Sequence, residues 1–185
     1  KAISLLKGKE KVYAIVAPSI AAQFTYAKRG QVNTAMKQLG FYEVVEAALG
    51  ADLVAYAEAA ELAEKGFLTS SCCPAFVNYI HNEFPTLVEN ISHNPSPMVA
   101  TAKAIKENCE DAKTIFIGPC TAKKNEYLRP EVSEYVDCVL TFEELQALFD
   151  SRDIAPETLA YLRPLRRSVR GCRRGNQGAR PGLRG

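Results

Sequence analysis

Short, continuous apolar runs separated by segments with helical spacing constrain this chain more than any other feature. Val12–Ala17 and Thr114–Gly118 are each only a few residues long and almost wholly apolar, and Tyr42–Ala47 and Val136–Leu140 read as further short strands. Runs that do not alternate with polar residues belong to strands buried on both faces, which is the habit of parallel sheets. Between them, Val32, Ala35, Met36 and Leu39 recur at helical spacing and Gly40 supplies a C-terminal stop. An Ala- and Glu-rich helix is predicted over Val54–Lys65. A second helix opens at Pro74, carries Phe76, Val77, Ile80 and Phe84 along one side, and closes at Pro85. A third runs from Met98 to Asn108, after the rigid bend Pro95-Ser96-Pro97. Thr141 and Glu144 form the two ends of a capping box that starts a fourth. Phe67–Ser70 reads as a further short strand, and Lys1–Leu6 as a helix entering the domain. The expected fold class is α/β, a mostly parallel twisted sheet flanked by helices.

The chain has 185 residues, 47% hydrophobic and 24% charged. That is enough for one domain with a substantial core and excludes a disordered or fibrous chain. No apolar run nears the roughly 18 residues of a membrane-spanning helix, which argues against a membrane partner. Charge is unevenly spread. Residues 161–185 hold eight Arg and no Asp or Glu, leaving 15 basic against 21 acidic side chains in 1–160.

The six cysteines are Cys72, Cys73, Cys109, Cys120, Cys138 and Cys172. With no secretory leader in the sequence, a disulfide framework is not expected. Cys109 and Cys138 lie in ordinary helix and strand patterns and read as small buried hydrophobes. The other pattern is a strand that runs into a Pro/Cys loop. It occurs twice, at Thr69-Ser70-Ser71-Cys72-Cys73-Pro74-Ala75-Phe76 and at Gly118-Pro119-Cys120-Thr121-Ala122-Lys123-Lys124-Asn125-Glu126. Beyond the strand ends of an open α/β sheet lies the crevice where ligands bind. Pro74 in the first helical turn makes Cys73 the cap residue, where the helix dipole favours thiolate. Lys123 and Lys124 place positive charge near Cys120. Glu58 and Glu61 are three residues apart on a helix, hence on one face, where a solvated face with Glu61 pairing Lys65 is the plain alternative to a chemical role. His81 and His93 are too isolated to indicate a site.

The two Pro/Cys segments resemble the first two cofactor motifs of the FeFe-hydrogenases, T-S-C-C-P-x-W and M-P-C-x-x-K-x-x-E, and the resemblance extends from about Val12 to Ile154. It implies an H-cluster: a 4Fe–4S cubane joined through a cysteine sulfur to a two-iron site with carbon monoxide, cyanide and an azadithiolate bridge. By this resemblance Cys73 and Cys120 are two of the cubane ligands, and Cys72 is the thiol that passes protons to the bridging amine. Glu58, Glu61 and Ser92 match the proton route, and Lys123 matches the lysine that donates to a cyanide. Pro18 and Ser19 match the loop on the other cyanide. Ser96, Pro97, Met98, Gly118, Pro119 and Glu126 fall at positions lining the cofactor. The implied activity is reversible interconversion of hydrogen with protons and electrons, in a cytoplasmic, anaerobic setting, with a ferredoxin-like electron-transfer domain or protein and hydrogenase maturation proteins as partners. The alternative is a non-enzymatic iron–sulfur assembly protein of the same superfamily, against which the retained Cys72 and Lys123 count.

Three departures stand out. Phe76 replaces the usual Trp, Gly118 the usual Met, and Met98 a hydrogen-bonding Gln. Gly118 is expected to open space beside the dithiolate, and Met98 to remove a polar donor. Together they resemble the hydrogen-sensing branches. The family's third motif, which carries the last two cubane cysteines, is absent, and Gly171-Cys172-Arg173-Arg174-Gly175 only mimics it. The expected organisation is a partial H-cluster domain over 1–160 and a basic tail over 161–185. The tail's Arg/Gly/Pro bias is that of GC-rich DNA read in a shifted frame, which argues against a nucleic-acid arm. On this reading the chain is truncated at both ends, and the H-cluster is expected in the parent protein but not to assemble in this chain, which alone is inactive.

Overall fold

The computed structural model describes residues 1–161. The basic tail, with its Cys172 mimic of the third motif, lies outside the described residues. Four strands, β1 (Val12–Val16), β2 (Glu43–Glu46), β3 (Lys113–Ile117) and β4 (Cys138–Leu140), form one sheet in the order β2-β1-β3-β4. Every pairing is parallel. The register sets Val16 beside Ile117 and Ile117 beside Leu140, so the strand ends are aligned across the sheet. All five residues of β1 are buried, as an unbroken apolar run requires.

The helices are α1 (Ala2–Leu6), α2 (Ile20–Gln23), α3 (Arg29–Leu39), α4 (Ala48–Lys65), α5 (Pro74–Glu83), α6 (Pro97–Asn108), α7 (Lys123–Glu126), α8 (Pro130–Ser133) and α9 (Phe142–Asp150), with 3₁₀ turns at Pro85–Asn90 and Pro156–Thr158. Several boundaries follow from single residues. Gly40 ends α3 at φ 110°, a left-handed conformation that a side chain would strain. Pro74 stands in the first turn of α5 with Cys73 as its cap. Thr141 accepts from the Glu144 amide and Glu144 returns the bond to Thr141, the capping box of α9. The core joins both faces of the sheet to Met36, Ile105, Phe142 and Phe149, with Cys109 and Cys138 buried inside it.

Three expectations change. The helix predicted over Val54–Lys65 begins at Ala48. Gly50 lies within it because α6 crosses there. A Cβ on Gly50 would stand 2.3 Å from the Pro97 carbonyl and 2.4 Å from Thr101 Oγ1. Phe67–Ser70 is not a strand of the sheet. It makes one parallel bridge, Thr69 to Ile91, held by Thr69 N–H to the Asn90 carbonyl (2.7 Å) and Ser92 N–H to the Thr69 carbonyl (2.8 Å). The apolar side predicted for the Pro74 helix is buried only in part: Pro74 and Ile80 are covered, whereas Phe76, Tyr79 and Phe84 are exposed.

Candidate metal centre

In the strand order 2-1-3-4 the chain reverses its direction of growth between β1 and β3. That is the switch point at which the loops after two neighbouring strands diverge and leave a crevice. The loop after β1 carries Pro18 and Ser19, both exposed, and the loop after β3 carries Gly118, Pro119 and Cys120. Ala17 N–H donates to the Ile117 carbonyl, so the two loops start side by side. Gly118 does not open space as expected. A Cβ there would meet the Phe116 ring at 2.8 Å and the Ala17 Cβ at 3.1 Å, so the Phe116 ring stands where a side chain at this position would begin.

Cys120 leads into the one-turn helix α7, and Lys123 N–H closes back on the Cys120 carbonyl. The Lys123 side chain is buried. Its ammonium donates to Glu126 Oε2 at 2.6 Å and to the Cys72 carbonyl at 3.1 Å. These contacts bring the first Pro/Cys loop to the second. Both lysines of this loop are paired, Lys123 with Glu126 and Lys124 with Glu144. Cys72 is exposed, Cys73 and Cys120 are half-buried, and all three are free thiols. Among the described residues no three Cys, His, Asp or Glu side chains converge as a closed metal site.

The donor chemistry fits an iron–sulfur group. Cys73 sits at the N-cap of a ten-residue helix, and with Cys120 it offers soft sulfur donors of the kind that hold iron–sulfur groups. Ser96 caps α6 and lines a cavity of about 400 Å³ together with Ser71, Ser92, His93, Asn94 and Glu126. Ser96 is only 4% exposed, and its hydroxyl has no partner. Pro97 is half-buried behind it. Met98 is 1% exposed and packs with the apolar core.

The candidate proton route is resolved into two clusters. In the first, Ser70 Oγ donates to Glu58 Oε1 at 3.0 Å and accepts from the Cys72 N–H at 3.3 Å. In the second, Glu61 receives Ser92 Oγ at 3.1 Å, Asn94 Nδ2 at 2.9 Å and Lys65 Nζ at 2.9 Å, with His93 Nδ1 2.8 Å away. Ser92 therefore meets Glu61 and not Glu58, whose partner is Ser70. The i,i+4 pairing of Glu61 with Lys65 and its contact with Ser92 hold together. The Lys65 ammonium, helped by His93 and Ser92, keeps the Glu61 carboxyl near 2, so it is ionised at neutral pH. The bridge at Thr69 builds this arrangement, because it lays residues 90–94 beside 69–71, and Ser71 Oγ then donates to the Asn94 carbonyl at 2.7 Å. Sequence reasoning missed Ser70, His93 and Asn94. Nothing local marks them, since each acquires its partner from a segment at least 12 residues away.

Comparison with known proteins bears on the family and the fold. The family model described as "Iron only hydrogenase large subunit, C-terminal domain" matches residues 10–178. Iron hydrogenase 1 of Clostridium pasteurianum is 31% identical over 176 residues, covering 80% of this chain and 31% of that protein. A cytosolic Fe-S cluster assembly factor, NAR1 of Candida dubliniensis, is 32% identical over 145 residues, covering 64% of this chain and 25% of that protein. In fold, the chain is similar to an apo variant of the FeFe-hydrogenase HydA1 from Chlamydomonas reinhardtii. The TM-score is 0.79 at 24% identity, with 92% of this chain and 51% of that one covered. The chain thus spans about a third or less of these curated relatives and about half of that solved structure. By its sheet, its paired Pro/Cys loops and the family model that matches most of its length, the chain belongs to the iron-only hydrogenase family, in the C-terminal domain of the large subunit.

Proposed function

We propose that this chain is the proton-handling part of an iron-only hydrogenase domain whose parent interconverts hydrogen with protons and electrons at an H-cluster. The observation that carries this reading is the Glu58–Ser70–Cys72 cluster at the mouth of the switch-point crevice. The carboxylate is tied through a hydroxyl to the backbone of an exposed cysteine, an arrangement that a proton route can use and that merely holding an iron–sulfur group does not need.

On this reading Cys73 and Cys120 hold two corners of the cubane, and a four-cysteine cluster takes its other ligands from outside the described residues. When bound, the H-cluster supplies the redox chemistry. The protein's own residues do the rest. Lys123 offers a charge-assisted donor in a dry setting, and its bonds to Glu126 and the Cys72 carbonyl fix its position. Cys72 carries an exposed thiol, and Ser70 links the Glu58 carboxylate to the Cys72 backbone amide, so that carboxylate, hydroxyl and cysteine belong to one cluster through which protons would pass. Ser96 offers an unpartnered hydroxyl. Electrons would reach such a site from a ferredoxin-like domain or protein, and maturation proteins would deliver the two-iron part. A hydrogen-sensing version of the same chemistry rests on Met98 standing where a polar donor is usual. The partial H-cluster domain so proposed is residues 1–160.

The second reading, iron–sulfur assembly without hydrogen chemistry, is supported by the similarity to NAR1 factors. One experiment separates the two. The gene's complete product is matured anaerobically, then examined by infrared spectroscopy and by H₂/D₂O exchange. Cyanide and carbonyl bands with isotope exchange that Glu58→Gln abolishes support the hydrogenase reading. A cubane without those bands, and no exchange, supports assembly.

A further inference from the structure

His93 stands at the outer end of the Glu61 cluster, with 78% of its side chain exposed. Three distances around it cannot all be hydrogen bonds at once. Its Nδ1 is 2.8 Å from Glu61 Oε1 and 3.1 Å from Lys65 Nζ, and Lys65 Nζ is 2.9 Å from that same Glu61 oxygen. A ring nitrogen either carries a proton and donates or lacks one and accepts. Toward the carboxylate it must donate. Toward the ammonium it must accept. The triangle therefore has two hydrogen-bonded states that differ by one proton on Nδ1, and Lys65 serves both by donating to Glu61 in one and to the ring in the other.

We propose that His93 is the solvent-side proton-exchange residue of this relay, with Nδ1 alternating between donation to Glu61 and acceptance from Lys65. This rests on the hydrogenase reading for its purpose, but not for its chemistry. In the inward direction, Nδ1 takes a proton from a hydronium ion, which leaves as water, and the ring becomes cationic. The Nδ1–H bond then breaks as a bond forms to Glu61 Oε1. The electron pair returns to Nδ1, which accepts from Lys65. Ser92 Oγ, 3.1 Å from Glu61 Oε2, is the next hydroxyl in line and faces the 400 Å³ cavity. The reverse sequence carries a proton out.

The surroundings favour this assignment. Glu61 is fixed by its own bonds from the His93 amide, Asn94 and Ser92, so it does not swing away when the ring changes charge. Its low proton affinity means that it carries the proton only in passing, between the ring and Ser92. Lys103, Glu126, Arg129 and Glu131 line the same cavity as His93, from α6, α7 and α8 and their flanks. Two are cationic and two anionic, and Glu126 is already paired with Lys123. The immediate field at Nδ1 is that of Glu61 and Lys65.

The test uses the full chain, uniformly ¹⁵N-labelled, and reads the His93 ring nitrogens by long-range ¹H–¹⁵N spectroscopy across pH. His81, exposed on α5, serves as the internal control. At high pH the neutral His93 ring is expected to keep its proton on Nε2, with Nδ1 bare and facing Lys65. In Lys65→Met the neutral ring reverts to the Nδ1–H form, which donates to Glu61, and Lys65→Arg restores the wild-type form. In Glu61→Gln the dependence on residue 65 disappears. His81 does not change in any of these. A His93 tautomer that ignores both substitutions, or one that tracks His81, overturns the proposal. Because no iron is needed, this result is independent of whether the parent turns over hydrogen. Conversely, tautomer switching in a protein whose complete form shows no isotope exchange would leave the His93 assignment standing and sink the hydrogenase reading.

Discussion

The buried ammonium of Lys123 donates to the backbone carbonyl of Cys72, 51 residues earlier in the chain, at 3.1 Å. Through this bond the two Pro/Cys loops become one site, because the same side chain is anchored by Glu126 at 2.6 Å three residues further on.

Lys123→Met should therefore be costly to the fold as well as to the site. Both partners of the Lys123–Glu126 pair are under a tenth exposed. Removing one leaves a buried charge without its counter-ion, worth about 3–5 kcal/mol of stability. Urea denaturation of Lys123→Met should show that loss. Lys123→Met with Glu126→Gln should recover much of it, since the stranded carboxylate is gone. If the single and double variants are equally destabilised, the pair is not what matters.

Ser70→Ala separates the Glu58 cluster from stability. Ser70 is exposed, and its two bonds are to Glu58 and the Cys72 amide. Its loss should cost no more than about 1 kcal/mol of folding free energy. In the complete, matured product the same change should slow H₂/D₂O exchange by at least about tenfold, the lower part of the range for a positioned proton-transfer group. Unchanged exchange would remove Ser70 from the route.

The strands and caps were legible in the sequence because each is decided locally. Unbroken Val/Ile runs gave β1 and β3, and Pro74, Gly40 and the Thr141–Glu144 pair marked helix ends that the fold respects. The cysteine pair and Lys123 were legible as motifs. What escaped depends on contacts between distant segments. Gly50 punctuates a sequence pattern but sits inside α4, since only a missing Cβ lets α6 approach. Gly118 reads as open space until Phe116 is seen to occupy it. His93 carries no local signal and gains Glu61 across 32 residues.

The Glu61 carboxyl gives the fold a defined acid sensitivity. Its value falls from 4.5 to about 2, chiefly through Lys65. A group that binds its proton less tightly when folded stabilises the fold above its unfolded value, and that contribution is lost as pH drops through its folded one. Wild-type chain should thus melt above Glu61→Gln at neutral pH. The gap should narrow as pH falls below about 4.5 and close near about 2, as followed by circular dichroism. A gap that stays constant across that range would mean the carboxyl is not selectively held as the anion.

Thiol reactivity should rank the cysteines by environment. Cys72 is exposed, Cys73 and Cys120 are half-buried, and Cys109 and Cys138 are buried at 4% and 7%. Burial also pushes the Cys138 thiol up, which further lowers its thiolate fraction at neutral pH. Under limiting iodoacetamide, peptide mass spectrometry of the metal-free chain should find Cys72 alkylated first and Cys73 and Cys120 next. Cys109 and Cys138 should react only once urea unfolds the sheet. Loading the gene's complete product with iron and sulfide should protect Cys73 and Cys120 while leaving Cys72 reactive, because on the proposed reading Cys72 carries protons and not metal. Protection of Cys72 in step with Cys73 would make it a ligand instead, and the proton-handling role would have to be given up.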